Sequence, residues 1–225
     1  MSTILITGAN RGIGLELTRS FARDGWRVHA CCREPDRAKD LRALDGAVEM
    51  HKLDVTDGAR VAGLARELEG EAIDILFNNA GVYGPRAGFG KTDYDAWAPV
   101  FSVNVFAPLR LAECFVAHVA RSERKLILNM SSKMGSIADC GGGSVIYRSS
   151  KAALNMVTKT LSVDLAGQGI TVVAFHPGWV QTDMGGRGAS ITAQESVRGL
   201  RRVIGGLAAK DTGGFFNYDG SRLPW

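Results

Sequence analysis

The sequence is poor in cysteine, and the cysteines it has do not form a metal-binding pattern. Four occur in 225 residues, at Cys31, Cys32, Cys114 and Cys140. They lack the paired spacing of zinc motifs, and the adjacent Cys31 and Cys32 are badly placed for a disulfide. We therefore expect no bound metal, reduced thiols and a cytoplasmic location.

Long apolar runs and a secretion signal are also missing. No apolar run approaches the roughly 20 residues of a membrane span. The N-terminal stretch Thr3-Ile4-Leu5-Ile6-Thr7 is typical of a structural strand rather than of a signal peptide. We expect no membrane association.

Charge of one sign is not concentrated anywhere in the sequence. The 27 Lys and Arg residues slightly outnumber the 23 Asp and Glu residues, which gives a net charge of +4. The basic residues are scattered and are not interleaved with aromatic residues, so we expect no nucleic-acid partner. The weak positive charge suits a small anionic ligand.

What the sequence does contain is a regular alternation of β-rich runs and helical patterns. The predicted strands cover 3–7, 26–32, 48–53, 73–78, 125–130, 170–175 and 214–217, and the predicted helices cover 12–23, 36–44, 57–70, 92–120, 146–167 and 192–209. Such alternation predicts a parallel sheet with helices on both faces. The sequence therefore predicts an α/β fold, a doubly wound Rossmann-type sheet of about seven strands, in one domain over residues 1–225.

A glycine-rich turn follows the first predicted strand and opens the first predicted helix. It reads Thr7-Gly8-Ala9-Asn10-Arg11-Gly12-Ile13-Gly14. Glycines there permit a tight turn and let a pyrophosphate approach the backbone at a helix N-terminus. The spacing is GxxxGxG, which differs from the common GxGxxG dinucleotide motif. A glycine-softened turn without a ligand is the alternative, and the turn alone does not decide between the two.

The end of the second predicted strand carries a cation and lacks an acid. A carboxylate at this place binds the ribose hydroxyl of NAD, whereas an arginine accommodates the extra phosphate of NADP. Here the strand ends in Cys32 and Arg33 with no acid before Glu34, and Arg11 in the glycine turn offers a second cation. These residues predict NADP(H) as the cofactor. The alternative is that Arg33 is an ordinary solvated arginine.

Tyr147 and Lys151 form the most informative pair of the chain. They lie four residues apart in Tyr147-Arg148-Ser149-Ser150-Lys151, a spacing that places both on one face of a helix. A nearby ammonium favours the phenolate form, so we expect Lys151 to lower the pKa of Tyr147. An amphipathic helix surface is the alternative for this pair on its own.

Five further segments contribute to a family resemblance. They are Asp54-Val55 after the third strand, Asn78-Asn79-Ala80-Gly81, Asn104, Ser132, and Pro177-Gly178 with Val180 and Thr182. Together with the turn and with Tyr147 and Lys151, they make the chain resemble the short-chain dehydrogenase/reductase family over nearly its whole length. The resemblance implies catalytic roles for Asn104, Ser132, Tyr147 and Lys151. It implies cofactor contacts at Gly8, Asn10, Arg11, Gly12, Ile13, Gly14, Arg33, Asp54, Val55, Asn79, Ala80, Gly81, Tyr147, Lys151, Pro177, Gly178, Val180 and Thr182.

The catalytic serine has an adjacent rival. Ser131 and Ser132 leave a strand end in opposite directions, and Ser132 is the one at the family position. The segment between Ser132 and Tyr147 is slightly longer than is common in the family. This predicts a flexible bulge at Cys140-Gly141-Gly142-Gly143 beside the pocket.

Pro108 lies four residues after Asn104 in a predicted helix. Proline has no N–H, so the Asn104 carbonyl loses its partner within the helix. In the family a water on that carbonyl links the asparagine to the lysine. An ordinary helix kink is the alternative explanation.

Within the family, three segments are similar in sequence to those of the C-factor and sniffer-like carbonyl reductases. They are Tyr147–Lys151, His176–Met184 and Phe215–Trp225. This resemblance implies NADP(H)-dependent reduction of an aldehyde, ketone or quinone to an alcohol, with Tyr147 as general acid. A short substrate loop at about 183–192 predicts an open pocket, with Trp179 and Tyr83 as candidate walls. Relatives assemble through the helices at 92–120 and 146–167, which implies a homodimer or homotetramer.

Two other functions remain open from the sequence. One is a dinucleotide-binding signalling or sensor protein with little turnover, although a sensor has no need of Asn104, Ser132, Tyr147 and Lys151 together. The other is an NAD-dependent alcohol dehydrogenase, which would prefer an acid where Cys32 stands.

Overall fold

The computed structural model describes residues 1–225, and its centre is one parallel sheet of seven strands. The strands are β1 Thr3–Thr7, β2 Arg27–Cys32, β3 Val48–Lys52, β4 Ile75–Asn78, β5 Leu126–Met130, β6 Thr171–His176 and β7 Phe215–Asn217. Their order across the sheet is β3-β2-β1-β4-β5-β6-β7, and every neighbouring pair is parallel. The predicted doubly wound Rossmann-type fold is confirmed.

Seven α-helices connect these strands. They are α1 Gly12–Arg23, α2 Lys39–Arg42, α3 Gly58–Glu67, α4 Trp97–Phe101, α5 Ala107–Ala120, α6 Val145–Asp164 and α7 Ala193–Gly206. The helix predicted at 36–44 is much shorter than expected, because Pro35 starts a 3₁₀ turn at Pro35–Arg37 and only four residues of α2 follow. The helix predicted at 92–120 begins only at Trp97.

Both faces of the sheet are covered, because successive side chains of a strand point to opposite sides. Ile4 and Ile6 lie in the apolar layer beneath α1 and α7, whereas Leu5 lies in the layer beneath α3 and α5. All three are fully buried. Apolar runs without polar alternation therefore fit these strands, as parallel sheets require.

The segment Trp97–Ala120 corrects one sequence expectation. It is 24 residues long and contains an 18-residue window with a mean hydropathy of 1.5, which is long and apolar enough to cross a membrane by length and composition alone. Leu111, Phe115 and Val119 of this segment are buried in the layer against the sheet. Its apolar character is explained by packing in the core.

The strand order reverses direction between β1 and β4, which are neighbours in the sheet although β2 and β3 come between them in the chain. In such sheets the crevice beyond the carboxyl ends of the strands at this switch point is where ligands bind. The glycine turn after β1 and the Asn79 segment after β4 both lie there.

Candidate active site

The turn between β1 and α1 brings two backbone segments into close contact. Gly8 and Gly12 have φ of +67° and +54°, in the left-handed region that favours glycine. A Cβ added at Gly14 would lie 2.1 Å from the Gly8 carbonyl oxygen, so no other residue fits there without movement. The α1 N-terminus has no side-chain cap and no acidic residue in its first turn. Its N–H groups and positive dipole end are therefore suited to an anion.

The segment after β4 supports this turn through hydrogen bonds. The Asn79 side-chain amide donates to the Thr7 carbonyl at 2.8 Å and to the Gly8 carbonyl at 3.3 Å. The backbone N–H groups of Asn79 and Ala80 donate to the Thr7 hydroxyl at 3.1 and 3.0 Å. Asn79 therefore holds the shape of the turn from outside it.

The loop after β6 closes onto the turn from the other side. A Cβ at Gly12 would lie 3.1 Å from the methyl carbon of Thr182. The Thr182 hydroxyl accepts from the Gly185 N–H at 3.2 Å, and Val180 forms an isolated bridge with Ile191. The predicted substrate loop at 183–192 is thus anchored at its base.

Arg33 and Asp54 lie just after the carboxyl ends of β2 and β3, and both are exposed. The Asp54 carboxylate accepts from the Thr56 hydroxyl at 2.7 Å and from the Thr56 N–H at 2.9 Å. These bonds, helped by the charge of Arg33, lower the pKa of Asp54. The N-cap of α3 is Asp57, which accepts from the Arg60 N–H at 3.0 Å, so Asp54 is not a cap.

Arg11 is not an unpaired cation. Its guanidinium donates to the Asp183 carboxylate at 2.6 Å, and both side chains are exposed, at 67% and 77%. The pair joins the glycine turn to the substrate loop. This partner could not be predicted from the sequence, because the two residues lie 172 positions apart.

Tyr147 and Lys151 lie on α6 and are both buried, with 7% and 3% of their surfaces exposed. The Lys151 ammonium lies 5.8 Å from the centre of the Tyr147 ring and donates to the Met130 carbonyl at 2.8 Å. Ser132, just after β5, lines the same cleft as Tyr147. Its neighbour Ser131 turns away and donates to the Asn155 side chain at 2.5 Å. Ser132 therefore lies with Tyr147 on the cleft, whereas Ser131 is bonded to Asn155, about two turns further along α6.

The expected lowering of the phenol pKa is wrong for this structure. Burial raises the pKa of Tyr147 to about 12, and the nearby Ser132 hydroxyl only partly opposes this. Burial also lowers the pKa of Lys151 to about 8. Loss of water penalises the charged form of each group, and at this separation it outweighs their attraction.

Asn104 lies in a π turn at Ser102–Phe106, immediately before the helix that contains Pro108. A π turn is wider than an α-helical turn and is one of the features at which helices kink. The Asn104 amide donates to the Val82 carbonyl at 2.8 Å and to the Ser150 hydroxyl at 2.9 Å. Its side-chain oxygen accepts from the Val82 N–H at 2.9 Å. The side chain is thus a clamp between the Val82 segment and α6.

Gly81 lies between Asn104 and Lys151. A Cβ at Gly81 would lie 3.3 Å from the Asn104 side-chain oxygen and 3.4 Å from the Lys151 nitrogen. The structure brings Asn104, Ser132, Tyr147 and Lys151 together around this point.

A cleft of about 540 Å³ opens over Ser132 and Tyr147. Tyr83 and Trp179 line it, as the sequence predicts for two wall residues. The Tyr83 ring stacks on the Tyr147 ring with 4.2 Å between centres and 14° between planes. The Arg86 guanidinium lies 4.6 Å from the Tyr83 ring centre. The order Arg86, Tyr83, Tyr147 forms a stack that sequence reasoning did not find, because nothing in the spacing indicates it.

Arg148 organises the rim of the cleft. Its guanidinium Nε donates to the Gly142 and Gly143 carbonyls at 2.8 and 3.1 Å, and Nη1 donates to Met134 at 3.3 Å. The bulge predicted at 140–143 is therefore tied to α6. Arg148 stands between Tyr147 and Lys151 in the sequence, and that position is the one signal that could have found it.

Comparisons with known proteins agree with this geometry. The family model for short chain dehydrogenases matches residues 2–190. The chain belongs to the short-chain dehydrogenase family. It is an oxidoreductase of this family, and its similarities lie on the carbonyl reductase-like branch.

Three proteins that are similar to this chain support the family assignment. C-signal of Myxococcus xanthus is 44% identical over 154 residues, which cover 68% of this chain and 93% of that protein. The carbonyl reductase Sniffer of D. melanogaster has a TM-score of 0.95 and 34% identity, with 100% of both chains covered. The NADPH-bound carbonyl reductase from chicken fatty liver has a TM-score of 0.93 and 35% identity, covering 100% of this chain and 99% of the other.

Proposed function

We propose that this protein is an NADP(H)-dependent carbonyl reductase, which reduces an aldehyde, ketone or quinone to an alcohol. The observation that carries the proposal is the placement of the Ser132 and Tyr147 hydroxyl groups on the wall of one cleft, with Lys151 one helical turn after Tyr147. Two hydroxyl groups that point to one place can hold a carbonyl oxygen as negative charge develops on it.

The groove beside this floor fits a dinucleotide with an extra phosphate. The Gly14 backbone contact and the uncapped α1 N-terminus suit the pyrophosphate. Arg33 is the cation for the 2′-phosphate at the end of β2, where no carboxylate precedes it to favour NAD. Arg11 holds Asp183 through Nη1 and has further N–H groups that can donate to a phosphate. The NADPH in the chicken fatty liver relative supports the same choice of cofactor.

The residues of the chain act on the proton and on the oxygen. The reduced nicotinamide supplies the hydride that the carbonyl carbon accepts. Tyr147 keeps its proton at neutral pH, because burial raises its pKa to about 12, and it donates that proton to the developing alkoxide. Lys151, with its pKa lowered to about 8, is the stronger acid and returns a proton to the phenolate. Asn104 positions α6 and, through its carbonyl, a water that continues this relay.

The experiment is a screen of NADPH oxidation with aldehydes, ketones and quinones, followed by Tyr147→Phe. We expect Tyr147→Phe to keep NADPH affinity but to lose at least about 100-fold in kcat, since general acids contribute this much or more. Tyr94→Phe is the matched control, because Tyr94 is 74% exposed. Activity retained in Tyr147→Phe, or NADH bound as tightly as NADPH in a fluorescence titration, contradicts the proposal.

A signalling or sensor function with little turnover is the second candidate, and the similarity to C-signal favours it. The same screen separates the two. NADPH binding without oxidation on any carbonyl class supports the sensor, whereas turnover that depends on Tyr147 supports the reductase.

We also propose a cytoplasmic homodimer or homotetramer. Large apolar side chains are exposed on the surface of α6 and just before α5, at Phe106, Met156 and Val163, with exposures of 52%, 66% and 67%. Met156 and Val163 lie seven residues apart and share one face of α6. Burial of such a face against a second copy is the simplest way to remove it from water.

A further inference from the structure

A cluster of metal-ligating side chains lies at the edge of the sheet, in a part of the molecule that the proposed reductase does not use. β2 and β3 are neighbours, with His29 opposite Glu49 and Cys31 opposite His51 in the register. His29, Glu49 and His51 therefore point to the same face. One ligand atom from each lies within 4.8 Å of the others.

The distances in this cluster fit a tetrahedral ion. His29 Nδ1 lies 3.0 Å from His51 Nε2 and 3.6 Å from the nearer Glu49 oxygen, Oε2. Zinc bonds of about 2.0–2.2 Å at tetrahedral angles place neighbouring ligand atoms about 3.3 Å apart. The ion needs only tenths of an ångström of adjustment between His29 and His51.

Residues around the cluster orient the ligand atoms. His29 Nε2 lies 3.2 Å from a Glu71 carboxylate oxygen, which places the ring proton on Nε2 and leaves Nδ1 free to accept. Carboxylates orient metal-binding imidazoles in this way. Arg27 donates twice to Glu49 Oε1, at 2.9 and 2.6 Å, so Oε2 stays directed toward the histidines.

The charges favour a cation. Glu49 and Glu71 contribute two negative charges and Arg27 contributes one positive charge, because it contacts both carboxylates. The neighbouring Arg60–Glu67 pair, at 2.7 Å, is neutral in sum. One negative charge is therefore left over beside His29, whose side chain is fully buried.

We propose that His29, His51 and Glu49 form a Zn²⁺ site, with a water as the fourth ligand, that fastens the edge strand β3 to β2. On binding, the proton that His51 Nε2 shares with His29 moves to His51 Nδ1, so both imidazoles stay neutral. No sequence motif predicts this site, because its ligands come from two strands and include no cysteine.

The test uses the full chain after chelator treatment and dialysis. Isothermal titration with Zn²⁺ is expected to give one ion per chain, and Zn²⁺ in excess raises the Tm because it binds the folded form. Co²⁺ in place of Zn²⁺ is expected to give the intense visible bands of a tetrahedral ion.

The variants His51→Gln and Glu49→Gln sit at partly exposed positions, so they are chosen over His29, which is fully buried. Each is expected to weaken Zn²⁺ binding at least tenfold, while Glu69→Gln, at an exposed acid two residues before Glu71 in the sequence, leaves it unchanged. Carbonyl reduction is measured in parallel and tests the reductase separately. No stoichiometric binding, or binding that survives both variants, overturns the site.

Discussion

At the scale of the residue, Tyr147 illustrates how burial controls chemistry. The phenol is buried on α6 and lies with Ser132 on the wall of the cleft. Its proton is therefore held until an oxygen in the cleft gains negative charge. A catalytic acid that stays protonated over the whole neutral range suits reduction better than oxidation.

The pH dependence follows from these two groups. The phenolate fraction of Tyr147 rises tenfold per pH unit below a pKa of about 12, so oxidation of an alcohol is expected to accelerate with that slope. Reduction uses the phenol and is expected to stay level up to about pH 8, then to fall as Lys151 loses its proton. Initial rates in both directions check this. An oxidation rate that levels off near pH 7 would mean that the bound enzyme has a much lower phenol pKa.

Tyr83 is a positioning residue for Tyr147 through the stack of their rings. Aromatic pairs contribute about 0.5–1.5 kcal/mol, so Tyr83→Leu is expected to lower kcat by roughly two- to tenfold. Tyr83→Phe is the matched control, because it keeps the ring and loses only the hydroxyl's hydrogen bonds to Met134 and Ser144. Steady-state kinetics on one carbonyl substrate measure both. Equal kcat values for Leu and Phe would show that the stack does not position the phenol.

At the scale of the element, the 3₁₀ turn Lys133–Gly135 packs directly on α6. A Cβ at Gly135 would lie 2.7 Å from the Lys151 carbonyl carbon, which belongs to rigid helix backbone. This contact fixes how far the Ser132 segment stands from the Tyr147 helix. The catalytic spacing is thus a matter of helix packing as much as of sequence.

Two glycine-to-alanine substitutions are expected to have opposite effects. Gly135→Ala forces the turn away from α6 and should destabilise the fold by about 1–3 kcal/mol, as overpacking does. Gly205→Ala, in α7 with open space around its Cβ, should stabilise it by up to about 1 kcal/mol through helix propensity. Urea unfolding of both variants gives the two free energies. Stability unchanged in Gly135→Ala would mean that the turn is free to shift.

What the sequence predicts at this scale is what lies in local patterns. The glycine turn, the Tyr147–Lys151 spacing and the strand–helix alternation are each readable within a few residues. The stack of Tyr83 on Tyr147 and the pairing of Arg11 with Asp183 join distant segments, so no spacing reveals them. The direction of the Tyr147 pKa also escaped prediction, because burial is a property of the whole fold.

At the scale of the whole molecule, the exposed apolar face of α6 predicts how copies associate. Met156→Glu and Val163→Glu together place charge in the proposed interface and are expected to convert an oligomer to a monomer. Ile137→Glu is the control, because Ile137 is equally apolar and 77% exposed but lies outside α5 and α6. Light scattering after size-exclusion chromatography measures the mass. A wild-type monomer, or an oligomer that the double variant leaves intact, would place the interface elsewhere.

The ion pair between Arg11 and Asp183 is a bridge from the glycine turn after β1 to the loop at 183–192. Both partners are well exposed, and such pairs contribute only about 0–1 kcal/mol. The bridge is therefore a weak latch: thermal motion breaks it often, and dissolved salt loosens it further. We expect ionic strength to change how often the glycine turn and the loop at 183–192 separate, with no change in Ser132 and Tyr147 at the floor of the cleft.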